Sequence, residues 1–175
     1  MKHSIKMRAE FKATQDIFTI AIADAPFPEK LSRDEAPFLL KGIQSIYLNE
    51  TIYSKVYPIL EKSINSKSGD GNGRKGMGFW EIFVLSVMRN GLNVNYDRLH
   101  YLANYDHLMR CVMGVGTEAS RIRNGKEYSL TTIKNNVALL DISTINEINE
   151  IVVEYGHQIV KKKKGPLSKS KRILL

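Results

Sequence analysis

Arg74, Lys75, Arg89, Arg98, Arg121, Arg123 and Lys126 are cations set in or beside segments rich in glycine and polar residues. Guanidinium and ammonium groups placed this way can neutralise phosphates, each adding a modest, salt-dependent share of affinity. The same groups can also do no more than solvate a surface. A second set, Thr132, Lys134, Asn135 and Asn136, follows a serine- and threonine-rich turn and projects away from Ile133, Val137 and Leu140. An asparagine amide can pair bidentately with adenine in the major groove, so this run has the chemistry to read bases. An exposed polar helix face explains the same residues, and both readings stand at this level. Tyr96 and Tyr101 flank Arg98 and His100, a mixture of aromatic and cationic groups suited to a wet, polar interface.

Other constellations fail on their own chemistry. Gly71, Gly73 and Gly76 spell GxGxxG, but a polar loop precedes them where a dinucleotide site needs a strand. What survives is that Arg74, Lys75 and the amides ahead of Trp80 could hold one phosphate. Asp70, Asn72 and Glu81 match three positions of a calcium loop, yet Arg74 and Lys75 stand where an oxygen ligand and the required glycine belong. Asp97, His100, Asp106 and His107 lie close together but lack the repeated ligand spacing of a metal site, so they read as surface or capping residues. No metal or cofactor site is expected.

The elements that must position these groups are helical. Ser32 with Glu35 has capping-box spacing ahead of a helix over 34–48, in which Phe38, Leu39, Ile43, Ile46 and Tyr47 recur and Pro37 falls near the first turn. Asn49 can cap a helix over 50–64, with Pro58 expected to kink or break it. Residues 65–76 read as a loop. In 72–114, Phe79, Phe83, Val84, Val87 and Met88 set one helix, Gly91 breaks it, Leu99, Leu102 and Ala103 set a second, and a third over 105–113 has the side chains of a core. That order has the outline of a helix-turn-helix unit. A loop over 116–126 follows, then a helix capped by Ser129 or Thr131. Thr144 with Glu147 then forms a capping box for a longer helix striped by Ile145, Ile148, Val152, Tyr155 and Ile159. No alternating strand appears, so the fold class is all-α, a helical bundle with a helix-turn-helix-like unit. The chain divides into an arm over 1–30, a helical domain over 31–160 and a basic tail over 161–175.

Four blocks in order carry a family resemblance: SRDEAPFLLKGIQSIY (32–47), NGRKGMGFWEIFVLSVMRNGLNVNYDRLHYLANYDHLMRCVMG (72–114), TIKNNVALL (132–140) and VVEYGHQIVKKK (152–163). Together they resemble the N-terminal part of insertion-sequence DDE transposases of the ISNCY group, over about residues 7–164. The resemblance implies a DNA-binding region for terminal inverted repeats, acting in an oligomer. It also implies that metal-dependent chemistry, commonly using magnesium, rests on three carboxylates beyond the lysine run. The last acidic residue here is Glu154, and GPLSKSKRILL does not match the strand expected to bear the first carboxylate. The expectation is therefore a DNA-binding fragment without the family's catalysis, not an enzyme by itself. Its partners would be double-stranded DNA and itself or full-length transposase. A protein-interaction or regulatory module that inhibits intact transposase is the alternative.

Composition bounds these readings. The chain has 175 residues, 43% apolar content and a formal charge of +8. Residues 161–175 hold seven bases and no acid, leaving nineteen bases against eighteen acids in residues 1–160. Basic character thus resides mostly in the tail, and binding by the folded part needs a separate argument. The single cysteine, Cys111, sits among apolar residues, excludes an internal disulfide and fits a reducing compartment. No run reaches the roughly 18 apolar residues of a spanning helix. A signal-like start, with basic residues ahead of Ile17, is interrupted by Glu10 and Asp16. A cytoplasmic, nucleoid-associated protein without a membrane partner is expected.

Overall fold

The computed structural model of the chain describes residues 22–29, 33–67, 77–115 and 127–163, the last five as backbone only. Among them every regular element is helical: a short 3-10 turn at Ile22–Asp24 and seven α-helices. The bundle is all-α, as the periodicity predicts.

Helix α1 (Glu35–Leu48) opens at Asp34, whose carboxylate accepts from the Ala36 amide at 3.0 Å. Ser32, the expected cap, lies outside the described residues. Pro37 then occupies the first turn, where no intrahelical N–H is required. Asn49 ends α1 and caps α2 (Glu50–Lys67), its side-chain oxygen accepting from the Ile52 amide at 3.1 Å. The break expected at Pro58 does not occur, and α2 runs unbroken past residue 64 to Lys67. Pro58 removes one backbone hydrogen bond, but Ile52, Val56, Leu60 and Ile64 are all buried, so packing holds the turns on both sides of it.

Helix α3 (Phe79–Gly91) is the axis of the bundle. Phe79, Trp80, Ile82, Phe83, Val84, Leu85 and Met88 are buried, which places apolar side chains all round the helix and not on one stripe. Helices α1, α2, α4 (Tyr96–Tyr105), α5 (His107–Met113) and α6 (Leu130–Val137) all pack on it. Burial of each large side chain there contributes about 1.5–3 kcal/mol. An aromatic cluster joins α1, α2 and α3, with Tyr47 and Trp80 ring centroids 5.2 Å apart and Tyr57 edge-on to Phe79 at 5.8 Å.

The turn after α3 differs from the expected one. Gly91 is the last helical residue, and the chain reverses at Asn93, whose φ of 49° is left-handed. Asparagine adopts that region more readily than most residues because its short amide can bond locally. The glycine serves a close approach instead: a Cβ on Gly91 would lie 2.5 Å from Leu39 Cδ2 on α1. Asn95 then caps α4, accepting from the Arg98 amide at 2.8 Å. Asp106 alone joins α4 to α5 and caps the latter through the Met109 amide at 2.7 Å.

Helix α7 (Ile142–Lys163) lies along α2. Its cap is Asp141 and not Thr144: one Asp141 oxygen accepts from the Thr144 amide (2.9 Å), the Thr144 hydroxyl (2.7 Å) and the Ser143 hydroxyl (2.9 Å). An ionised carboxylate accepts several bonds at once, so it takes the cap ahead of the threonine. The other oxygen meets Lys67 Nζ at 2.6 Å and ties the start of α7 to the end of α2. The helix includes Lys161, Lys162 and Lys163, the first residues of the basic tail. Among the described residues no helix is long and apolar enough to cross a membrane.

Candidate nucleic-acid interface

Helix α6 is placed by a residue far from it in sequence. Asn104 on α4, fully buried, donates to the Tyr128 carbonyl at 3.0 Å and accepts from the Tyr128 amide at 2.9 Å, closing a two-bond clamp on the backbone just before α6. The Tyr128 hydroxyl reaches into the core and donates to Glu81 on α3 at 2.6 Å. Burial raises the Tyr128 phenol well above its ordinary range, and the charge of Glu81 and the hydrogen bond to it push the same way. Arg110, also fully buried, sits near enough to lower it in part, and its guanidinium donates to the Ala103 carbonyl at 3.1 Å. Ser129 then caps α6 by accepting from the Thr132 amide at 3.1 Å, and Ile133 and Val137 bury against α3 and α4.

This placement brings two of the sequence-predicted cations onto one ring. Arg89, in the last turn of α3, lies with its guanidinium carbon 4.5 Å from the centroid of Tyr96, the first residue of α4. Lys134 on α6 carries its ammonium to 5.8 Å from the same centroid. Both distances are within cation–π range. Arg89 Nε is buried and has no hydrogen-bond partner among the described residues. Among the described residues neither cation makes an ion pair with an acid, in contrast to Lys67 with Asp141. Two cations from helices remote in sequence thus share an aromatic ring without an ion-pair partner among the described residues.

Arg98 belongs to a different face. It is exposed, with its guanidinium carbon 5.2 Å from the Tyr101 centroid, and Tyr101 stacks on Tyr105 at 5.3 Å with a 39° tilt. Tyr101 is 52% and Tyr105 42% exposed. Tyr105, which the expected site does not include, joins Tyr101 here, and their four-residue spacing on a helix is the signal for it in the sequence.

The remaining expectations divide. Lys134 and Asn135 are exposed on α6, whereas Thr132 is half-buried with its hydroxyl 2.8 Å from that of Ser129. Asn136 turns back, its amide donating to the Thr132 carbonyl at 2.8 Å, so it does not project as expected. Helix α5 buries Met109, Cys111, Val112 and Met113, as its apolar content predicts, and buries Arg110 with them. Arg74, Lys75, Arg121, Arg123 and Lys126 lie outside the described residues. Asp106 is a cap, and burial raises the Cys111 thiol, with Arg110 and Asp106 acting on it in opposite directions. Among the described residues, no three His, Cys, Asp or Glu side chains gather as a metal site, and the ions implied by the resemblance find no ligand set in these helices. The buried Glu81–Tyr128 pair and Arg110 had no sequence signal, because their meeting depends on two different helices and a loop.

Comparison with protein-family models, curated proteins and solved structures finds no match for this chain.

Proposed function

We propose that this helical unit binds double-stranded DNA, as the inverted-repeat-binding region of an ISNCY-type insertion-sequence transposase. The observation that carries the DNA reading is the meeting of Arg89 and Lys134 on the Tyr96 ring without an acidic partner among the described residues. Like charges held together cost free energy that a bound anion offsets, and a phosphate fits both the charge and the bonding geometry of a guanidinium. Lys134 and Asn135 stand side by side on α6, so a phosphate held by Lys134 leaves the Asn135 amide available to a base edge. Arg98 adds a separate cation-bearing face on α4. The four blocks in family order supply the transposase part of the reading, with helices α3 to α6 as its helix-turn-helix-like unit.

Fluorescence anisotropy on the full chain tests this. Binding to a matching inverted-repeat duplex should exceed binding to a scrambled duplex and weaken steeply with salt. Lys134→Ala should lower the magnitude of the log–log salt slope by about 0.9, as expected for one lost phosphate contact. Equal affinity for the two duplexes, or loss of all binding when residues 161–175 are removed, would sink the idea of a folded DNA reader.

A further inference from the structure

We infer that the exposed face of α4 formed by Arg98, Tyr101 and Tyr105 is a stacking platform for unpaired bases, so that the DNA this unit holds best has a frayed or single-stranded segment beside its duplex. The inference rests on the DNA reading above and names the form of DNA that α4 adds to it. Inside a paired duplex, base faces are covered by their neighbours, and an aromatic side chain on a helix surface finds no face to stack on. An unpaired base offers one. Tyr101 and Tyr105 stack at 5.3 Å and still leave 52% and 42% of their surfaces to solvent, whereas Trp80, Phe79 and Phe83 are almost completely buried. The platform is firmly mounted, because Leu99, Leu102, Ala103 and Asn104 on the same helix are buried.

Charge selects the ligand. The Arg98 guanidinium lies over the Tyr101 ring, 5.2 Å from its centroid, a cation on a long side chain within reach of the phosphate next to a base stacked on the pair. An apolar protein partner would gain nothing from that cation. The Tyr96 site with Arg89 and Lys134 stands at the start of the same helix and would hold the backbone of the adjoining duplex.

The test uses the full chain with three probes of equal strand length: a fully paired duplex, the same duplex with a short unpaired overhang, and a single strand. 2-Aminopurine is placed at an unpaired position. The wild type should bind the overhang duplex more tightly than the paired one, with 2-aminopurine fluorescence quenched on binding. Tyr101→Ala/Tyr105→Ala should weaken overhang and single-strand binding by about tenfold or more, since stacking on each ring contributes at least several-fold. It should change paired-duplex binding less than twofold. Tyr101→Phe/Tyr105→Phe keeps the rings and should behave as wild type, and because both residues are exposed, unchanged thermal melts verify folding. Equal loss on all three probes, or no 2-aminopurine quenching, overturns the platform while leaving duplex binding in place. Absence of binding to any probe by the wild type overturns both proposals.

Discussion

Replacing Asn104 by alanine removes the clamp that sets the start of α6, and its cost follows from the bonds it makes. The Asn104 amide donates to the His100 and Tyr128 carbonyls, both at 3.0 Å, and its oxygen accepts from the Tyr128 amide at 2.9 Å. His100 O belongs to the helix and keeps a backbone partner, so its loss counts little. The two bonds to Tyr128 are buried, and each net hydrogen bond contributes about 1 kcal/mol. The replacement also leaves a buried N–H and a buried C=O without their partner, at about 1–3 kcal/mol each unless water enters the vacated space. Allowing for that water, Asn104→Ala should destabilise the fold by about 2–4 kcal/mol. Urea unfolding followed by Trp80 fluorescence is the assay, because Trp80 is 1% exposed and its indole N–H donates to the Val112 carbonyl at 2.8 Å. A free-energy change below about 0.5 kcal/mol would show that the clamp does not hold α6, since substitutions at sites without such roles stay within that range. The account of how Lys134 reaches Tyr96 would fall with it.

Two further outcomes follow from the charged and phenolic groups. Asp141→Ala should cost about 1 kcal/mol, the usual loss for a helix cap, and the difference from wild type should depend on pH. Hydrogen bonds from Lys67, then Thr144 and Ser143, hold the Asp141 carboxyl well below its ordinary value of 3.8, so its contribution is present above that pH and fades as acid protonates the folded form. Urea midpoints that stay equally separated from pH 6 to pH 2 would contradict this. Tyr128 is raised by burial and Glu81, so its contribution is complete below the ordinary tyrosine value of 10.0 and declines above it as the unfolded phenol ionises. Tyr128→Phe should cost about 1.5–3 kcal/mol at neutral pH, the scale of a hydrogen bond to a charged group, and should flatten the alkaline loss of stability; an unchanged alkaline profile would remove Tyr128 as its source.

Helix identity was legible in the residues because it depends on local spacing. Apolar side chains at three- and four-residue intervals and polar caps at helix starts act within one or two turns, so α1 to α7 could be read with small errors at their ends. Those errors share a cause: where several residues could cap or turn the chain, the choice went to Asp141 over Thr144 and to Asn93 over Gly91, which tertiary contacts and local geometry decide together. Pro58 likewise argued locally for a break, and burial along α2 overruled it. The candidate site was legible only as a set of residue types. Arg89, Tyr96, Arg98, Tyr101, Lys134 and Asn135 were visible as cations, rings and an amide, but nothing in their order shows that Arg89 and Lys134 share one ring while Arg98 faces elsewhere. Lys134 reaches Tyr96 because Asn104 and Glu81 capture Tyr128 from more than twenty residues away. Local periodicity therefore determines which segments are helices, while long-range burial of a few polar groups decides which of their charges meet.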